Sequence, residues 1–190
     1  MSTTDIYKFN KEGYAQYYGC SQNSWRHAMA VWGILEEKYL PPYIPNYAKA
    51  IGITTVGEFE RRNGYKPCRL CAPMDEKSYQ EIWDLVDNDA VSEVDKICLY
   101  TTLDDCLIRK EEIPIVIAAF RKFEGETSLG EQADILEALY EEEDCIAVGF
   151  STSIVSRWLY YREGENNDEE TYNCLTGTEH YWLFDEMRGE

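Results

Sequence analysis

The sequence contains few basic residues in its last third. Between residues 123 and 190 only three side chains are basic while 18 are acidic, so this stretch has a net charge of −15. Residues 1–122 carry 18 acidic and 15 basic side chains and contribute only −3 to the total charge of −18. Negative charge concentrated in this way attracts cationic surfaces and repels nucleic acid and anionic lipid. We therefore expect a basic partner, with no direct nucleic-acid binding and no membrane binding.

Long hydrophobic runs and a secretory leader are also lacking. No apolar run approaches the roughly 20 residues of a membrane-spanning helix, and residues 1–14 do not pass from basic to apolar as a signal peptide does. The seven cysteines are odd in number and widely spaced, unlike those of a secreted disulfide framework. These features predict a cytoplasmic protein. A hydrophobic fraction of 44%, with 14% aromatic residues, predicts that the acidic side chains cover a folded domain.

Motifs for nucleotide, metal and nucleophilic chemistry are sparse. The glycine-rich patterns GxxxxGK[ST] and GxGxxG are missing, so no nucleotide cofactor is expected. One CxxC pair, Cys68 and Cys71, lacks the second pair of a zinc site and is only a weak metal candidate. The only histidines are His27 and His180. A hydrolase that uses Cys20 with His27, or two of the many carboxylates, stays open as an alternative, but the expectation is a protein without catalytic residues or cofactors.

Hydrophobic periodicity predicts both helices and strands. Apolar residues spaced by three and four predict helices over residues 24–39, 55–63, 75–86 and 113–123, and from 128 onward. Ser128 and Glu131 have the spacing of a capping box at the start of the last helix. Residues rich in branched and aromatic side chains predict a hairpin of strands 97–103 and 106–109, followed by strands over 145–150, 154–161, 171–175 and 180–184.

The order of these elements predicts an α+β fold. Helices in the N-terminal two-thirds would pack on a mainly antiparallel sheet that C-terminal strands complete, because strands and helices do not alternate regularly along the chain. A length of 190 residues suits one domain over 1–190, with a helical N-terminal subdomain over about residues 1–90 as a further division.

Two acidic clusters are the candidate binding residues. The first lies at the end of the last predicted helix and consists of Glu137, Glu141, Glu142, Glu143 and Asp144. The second lies between predicted strands and consists of Glu163, Glu165, Asp168, Glu169 and Glu170, with Trp158, Tyr160, Tyr161 and Tyr172 as aromatic anchors beside it. Acids do not stabilise the carboxyl end of a helix, so another role is indicated. Carboxylates beside aromatic residues suit a surface that recognises a basic groove, and a solvated acidic rim over buried aromatics is the alternative.

In size and charge the chain is similar to the acidic anti-restriction and anti-CRISPR proteins of phages and mobile elements. The similarity is one of composition and length, and no motif or functional residue is carried over. It implies a non-enzymatic inhibitor that binds the basic groove of a nucleic-acid enzyme, as a nucleic-acid mimic. Bacterial immunity proteins, which neutralise basic toxins, share the same outline and imply a toxin as the alternative partner.

Overall fold

A computed structural model describes residues 3–22, 28–69, 78–102, 106–151 and 181–189 of the chain. The chain divides into two compact units. The sheet unit comprises Met1–Val31 and Ser92–Glu190, and the helical unit comprises Trp32–Val91. The expectation of one domain with a helical part over about residues 1–90 stays a prediction.

Five strands and eight α-helices are present in the described ranges. The strands are β1 Thr3–Phe9, β2 Ala15–Gln22, β3 Cys106–Arg109, β4 Ala147–Ser151 and β5 Tyr181–Trp182. The helices are α1 Ala28–Tyr39, α2 Asn46–Ala50, α3 Val56–Asn63, α4 Gln80–Trp83, α5 Glu93–Tyr100, α6 Ile113–Lys122, α7 Leu129–Glu141 and α8 Leu183–Arg188. Short 3-10 turns follow α4 at Asp84–Asp87 and precede α6 at Lys110–Glu112. None of the described helices combines the length and the apolar character needed to cross a membrane.

The strands form one sheet with the order β2-β1-β4-β3-β5. The pairs β1–β2, β1–β4 and β3–β4 are antiparallel, and β3–β5 is parallel. Helices α6 and α7 pack against each other, α5 packs on α6, and α7 contacts β2. The sequence prediction of an α+β fold with a mainly antiparallel sheet is thus confirmed.

The core of the sheet unit is built from buried strand residues and the apolar stripes of its helices. Phe9, Leu107 and Ala147 are completely buried in one cluster on neighbouring strands. Phe120 of α6 meets Phe150 of β4 edge to face, with ring centroids 6.1 Å apart. This packing sets the positions of α6 and α7, and with them the first acidic cluster.

The hairpin β1–β2 was not predicted from the sequence. Asn10 organises its turn, because its side-chain oxygen accepts hydrogen bonds from the backbone N–H groups of Glu12 and Tyr14 at 3.1 and 2.9 Å. Gly13 adopts a φ of 83°, a backbone conformation that residues other than glycine rarely adopt. β1 is buried on both faces, so its residues do not show the simple alternation of a half-exposed strand.

The predicted strand over residues 97–103 is wrong, because residues 97–100 belong to helix α5. Ser92 caps this helix: its hydroxyl accepts from the backbone N–H of Asp95 at 3.2 Å and donates to the Asp95 carboxylate at 2.8 Å. The residues from Ile97 to Tyr100 are all buried, and this packing outweighs the strand preference of branched and aromatic side chains. Strand 106–109 is confirmed as β3, but it pairs with β4 and β5.

The other predicted elements have mixed outcomes. Helices 24–39, 55–63, 113–123 and the one from 128 are confirmed as α1, α3, α6 and α7 over their described residues, and strand 145–150 is confirmed as β4. Helix 75–86 corresponds in its described part to α4 and the 3-10 turn after it. Strand 180–184 is too long, since β5 ends at Trp182 and α8 begins at Leu183. The predicted strands 154–161 and 171–175 lie outside the described residues.

The capping box at the start of α7 is also wrong. The Ser128 side chain makes no capping bond, and its hydroxyl instead meets the side-chain amide of Gln132 at 3.3 Å. The backbone N–H of Leu129 donates to the Thr127 hydroxyl at 3.3 Å. The Ser128 hydroxyl therefore bonds to buried Gln132 and does not cap the helix, contrary to the sequence pattern.

The helical unit has its own small core of Ile44, Ala48, Ile53 and Phe59. Thr55 caps α3 by accepting from the backbone N–H of Glu58 at 3.2 Å, and Gly64 ends the helix with a φ of 78°.

Candidate functional site

Helix α7 presents the first acidic cluster. Leu129, Ala133, Leu136 and Leu139 are buried on its inner side. Its outer side carries exposed acids at spacings of three and four, which places them along one stripe. We call this stripe the acidic face; it consists of Glu131, Asp134, Glu137 and Glu141.

Arg121 of α6 lies against the middle of the acidic face. Its guanidinium is 2.6 Å from a carboxylate oxygen of Asp134 and 3.0 Å from one of Glu137. All three side chains are exposed, so solvent and salt weaken these ion pairs. Glu137, a predicted binding residue, is thus partly neutralised. Asp134 and Glu131 were not predicted as binding residues, although they lie three and six residues before Glu137 on the same helical face.

The acids that follow α7 are held by Lys8 of β1. Lys8 is only 8% exposed, and its ammonium lies 3.2 Å from the carboxylate of Glu142 and 3.0 Å from that of Asp144. The hydrogen bond from Lys8 lowers the pKa of Asp144 and, reciprocally, raises the pKa of Lys8. Glu142 and Asp144 therefore have a structural role that the sequence analysis did not assign to them.

A second lysine offsets the negative end of α7. The Lys110 ammonium donates a hydrogen bond to the backbone carbonyl oxygen of Glu142. A cation at this point favours the helix, because the last carbonyl groups carry partial negative charge. Lys8 and Lys110 together explain how an acidic run is accommodated at the carboxyl end of a helix.

The remaining acids of the first cluster, together with Glu131 of the acidic face, are exposed to solvent. Glu131, Glu141 and Glu143 are exposed and form no ion pair with any residue in the described ranges. Tyr140, also exposed, lies among them with the Lys110 ammonium 5.9 Å from its ring centre. Over the described part of the chain, three carboxylates without an ion pair and one aromatic ring thus lie on the surface of α7 and the residues after it. Tyr140 was not predicted as an anchor, although it lies within an acidic run of the sequence.

The second acidic cluster lies outside the described residues. This applies to Glu163, Glu165, Asp168, Glu169 and Glu170 and to the aromatic anchors Trp158, Tyr160, Tyr161 and Tyr172. Their part in a binding surface stays a prediction.

The cysteines of the described ranges offer little for nucleophilic chemistry. Burial raises the pKa of Cys98, Cys106 and Cys145, so these thiols stay protonated at neutral pH. Cys20 lies on β2, where its hydrogen bond with Tyr17 raises the pKa of that tyrosine to about 12. His27, the histidine that the sequence analysis paired with Cys20, lies outside the described residues, as does His180.

The weak metal candidates are not brought together with other ligands in the described part of the chain. Cys68 is partly buried, while Cys71 lies outside the described residues. Over the ranges that the structure describes, no group of three or more His, Cys, Asp or Glu side chains could hold a metal ion.

A polar cleft of about 190 Å³ lies in the helical unit. Arg69, which is 3% exposed, lines it and is tied down by three hydrogen bonds to Glu36, Glu81 and the carbonyl oxygen of Pro41. Because two carboxylates already neutralise this arginine, its environment indicates a structural role.

The acidic face is therefore the best-defined candidate site in the described residues. Its chemistry is that of exposed carboxylates, suited to pairing with arginine and lysine of a partner. Comparison of the chain with protein-family models, with curated proteins and with solved structures finds no match in any of the three.

Proposed function

We propose that this chain is a non-enzymatic inhibitor that binds the basic groove of a nucleic-acid enzyme through the acidic face of α7. The observation that carries the proposal is the set of exposed carboxylates on one side of α7, of which Glu131 and Glu141 have no ion pair within the described residues. Glu143, just beyond the helix, extends the set. The expected place of action is the cytoplasm.

The spacing of these carboxylates supports imitation of a nucleic-acid strand. Glu131 and Glu141 lie about 15 Å apart along the axis of α7, at a rise of ~1.5 Å per residue. The acidic face therefore presents about one carboxylate per 5 Å, somewhat sparser than the charge per ~3.4 Å of axis on one DNA strand. Arginines and lysines arranged to bind phosphates would meet a similar row of anions.

The structural pairs within the cluster sharpen this proposal. Glu142 and Asp144 hold Lys8, so the binding role belongs to the exposed acids that form no ion pair within the described ranges. Arg121 reduces the net charge in the middle of the face. A partner's cations would therefore bind most strongly near Glu141 and Glu143 at one end and near Glu131 at the other.

A test uses four charge-neutralising substitutions of equal shape. In the variant Glu131→Gln, Glu137→Gln, Glu141→Gln and Glu143→Gln, the partners of Lys8 are unchanged. A matched control, Glu12→Gln, Glu37→Gln, Glu60→Gln and Glu186→Gln, removes the same charge from exposed positions elsewhere. Each immobilised protein is incubated with bacterial lysate, and retained proteins are identified by mass spectrometry.

We expect the natural sequence and the control to retain a nucleic-acid-binding protein in about 50 mM salt. Salt at about 500 mM, or added duplex DNA, should release it, since screening shortens the range of charge attraction. The four-Gln variant should retain about tenfold less, as expected when several charge pairs are lost. Retention that is indifferent both to salt and to these substitutions contradicts the proposal. Retention of a toxin in place of a nucleic-acid enzyme favours the immunity-protein alternative.

A further inference from the structure

The helical unit exposes a compact group of large apolar side chains. Tyr47, Ile51 and Tyr65 are 49%, 65% and 58% exposed. Both tyrosine rings contact Phe59, with centroids 6.3 and 5.6 Å from its ring, so they lie on the same small area of surface. Ile51 is the C-cap residue of α2 and lies four positions after Tyr47. We call these three residues, with Phe59 beneath them, the tyrosine face.

The local structure holds the tyrosine face in place. Phe59 is buried in the core of the helical unit together with Ala48 and Ile53. Gly64 ends α3 in the left-handed region, and Tyr65 directly follows this turn and returns to Phe59. Binding to a face that is already ordered costs little conformational entropy. Exposed tyrosines on such a support are typical anchors of protein interfaces.

The charge around the tyrosine face is opposite to that of the chain as a whole. Residues 46–66, which carry the face, contain four basic and two acidic side chains, a net charge of +2 within a chain of −18. Lys66, next to Tyr65, is exposed and has no ion pair in the described ranges. Arg62 pairs with Glu58 at 3.1 Å beside Phe59 and remains about half exposed. The surroundings of the face thus favour an anionic group next to an apolar one.

We propose that the tyrosine face binds a short peptide segment of another protein, in which an aromatic or aliphatic anchor is followed by one to three carboxylates. The anchor packs on Tyr47, Ile51 and Tyr65, and the carboxylates pair with Lys66 and Arg62. A short peptide can carry carboxylates at the few positions that face these cations and no charge elsewhere. A nucleic acid carries a phosphate at every nucleotide and would meet Glu58 and Glu60 of α3 and the negative field of the whole chain.

The test uses a phage-displayed library of random peptides of about 12 residues, selected on the full chain in solution. Enriched peptides are synthesised with a fluorophore, and their affinity is measured by anisotropy for the natural sequence and its variants. Ile51→Ser removes an exposed anchor without touching the ring contacts of Phe59, and Tyr65→Ala removes a ring. Lys66→Glu reverses the adjacent charge. Tyr18→Ala and Lys122→Glu serve as matched controls at exposed positions of the sheet unit. Circular dichroism confirms that each variant is folded.

We expect the enriched peptides to combine an aromatic or aliphatic residue with neighbouring Asp or Glu. Ile51→Ser and Tyr65→Ala should each weaken their binding about tenfold, as for interface anchors, and Lys66→Glu should weaken it several-fold, with both controls unchanged. Basic peptides selected by the acidic face of α7 are recognised by their loss in the four-Gln variant, so the two proposals fail independently. The present one is overturned by peptides that bind folded Ile51→Ser and Tyr65→Ala as tightly as the natural sequence. It is equally overturned by an absence of enriched peptides, or by an oligothymidine probe that binds this face more tightly than any peptide.

Discussion

Arg69 shows how a single buried charge organises the helical unit. Its guanidinium donates to Glu36 at 2.6 Å, to Glu81 at 3.1 Å and to the carbonyl oxygen of Pro41 at 2.8 Å, and it lies 5.2 Å from the ring centre of Tyr43. These partners come from α1, α4 and the proline segment between α1 and α2. One side chain thus ties together three parts of the chain.

Replacement of Arg69 by Met should therefore cost much more stability than the same change at Arg62. Arg69→Met leaves Glu36 with a poorly solvated charge, and we expect a loss of about 3 kcal/mol in the free energy of unfolding. Arg62 is about half exposed and pairs within the described residues only with Glu58, so Arg62→Met should cost about 0–1 kcal/mol. Urea unfolding followed by circular dichroism measures both. Equal losses in the free energy of unfolding for the two variants would show that Arg69 does not have this structural role.

At the scale of elements, α3 and α5 show where local sequence signals succeed and fail. Thr55 before α3 and Gly64 after it mark both ends of that helix as the sequence pattern predicts. In α5 the branched and aromatic run from Ile97 indicates a strand, yet Ser92 caps a helix and burial stabilises it. Strand preference depends on packing context and therefore yields when a helix buries the same residues.

The cap of α3 provides a prediction at this scale. Thr55→Ala removes the acceptor for the backbone N–H of Glu58 and should lower the free energy of unfolding by about 1 kcal/mol. Thr54→Ala is the matched control: Thr54 is exposed and lies one residue earlier, outside the cap, so its substitution should change stability by less than about 0.5 kcal/mol. Denaturant unfolding of the two variants in parallel checks this, and similar values for both would mean that the cap contributes little.

At the scale of the whole molecule, cations on strands of the sheet pair with acidic segments of the chain. Lys8 of β1 binds Glu142 and Asp144, and Arg109 of β3 binds Asp185 of α8. These hydrogen bonds lower the pKa of both Asp144 and Asp185. Stability of a chain with a charge of −18 thus depends on a few specific pairs that hold negatively charged segments in place.

Acidification should break these pairs. Above the ordinary carboxyl pKa of 3.8 both aspartates are ionised in folded and unfolded chains, and their stabilising contribution is complete. As the pH falls further, the unfolded chain takes up protons first, because the folded pKa values are lower, and stability is lost. The melting temperature of the natural sequence should thus fall as the pH is lowered from about 4 to about 2.5, because this range lies within one to two pH units of the ordinary carboxyl pKa. Asp144→Asn should make this decline shallower.

Glu143→Gln is the control for this experiment. It removes the same charge from the neighbouring position, but Glu143 has no ion pair among the described residues, so the decline should match that of the natural sequence. If Asp144→Asn and Glu143→Gln have identical profiles, the Lys8–Asp144 pair does not contribute to acid stability.

Local patterns in the sequence determined much of the secondary structure and the fold class of this protein. The spacing of apolar residues in α1, α6 and α7 predicts these helices, because a helical period of 3.6 residues is visible over a short stretch of chain. The same periodicity places Glu137 and Glu141 on the outer side of α7. The α+β class and the regional negative charge likewise follow from the sequence alone.

The tertiary structure alone decided which of the acids are committed to cations. The pairing of Phe9 with Ala147 in the β1–β4 ladder brings Lys8 next to Asp144, 136 positions further along the chain. No local pattern contains such a contact, since it depends on strand order and register. The same holds for Arg69 and for the tyrosine face, whose members become neighbours only when distant segments pack together. Among the described residues, Asp134, Glu137, Glu142 and Asp144 pair with Arg121 or Lys8, whereas Glu131, Glu141 and Glu143 do not.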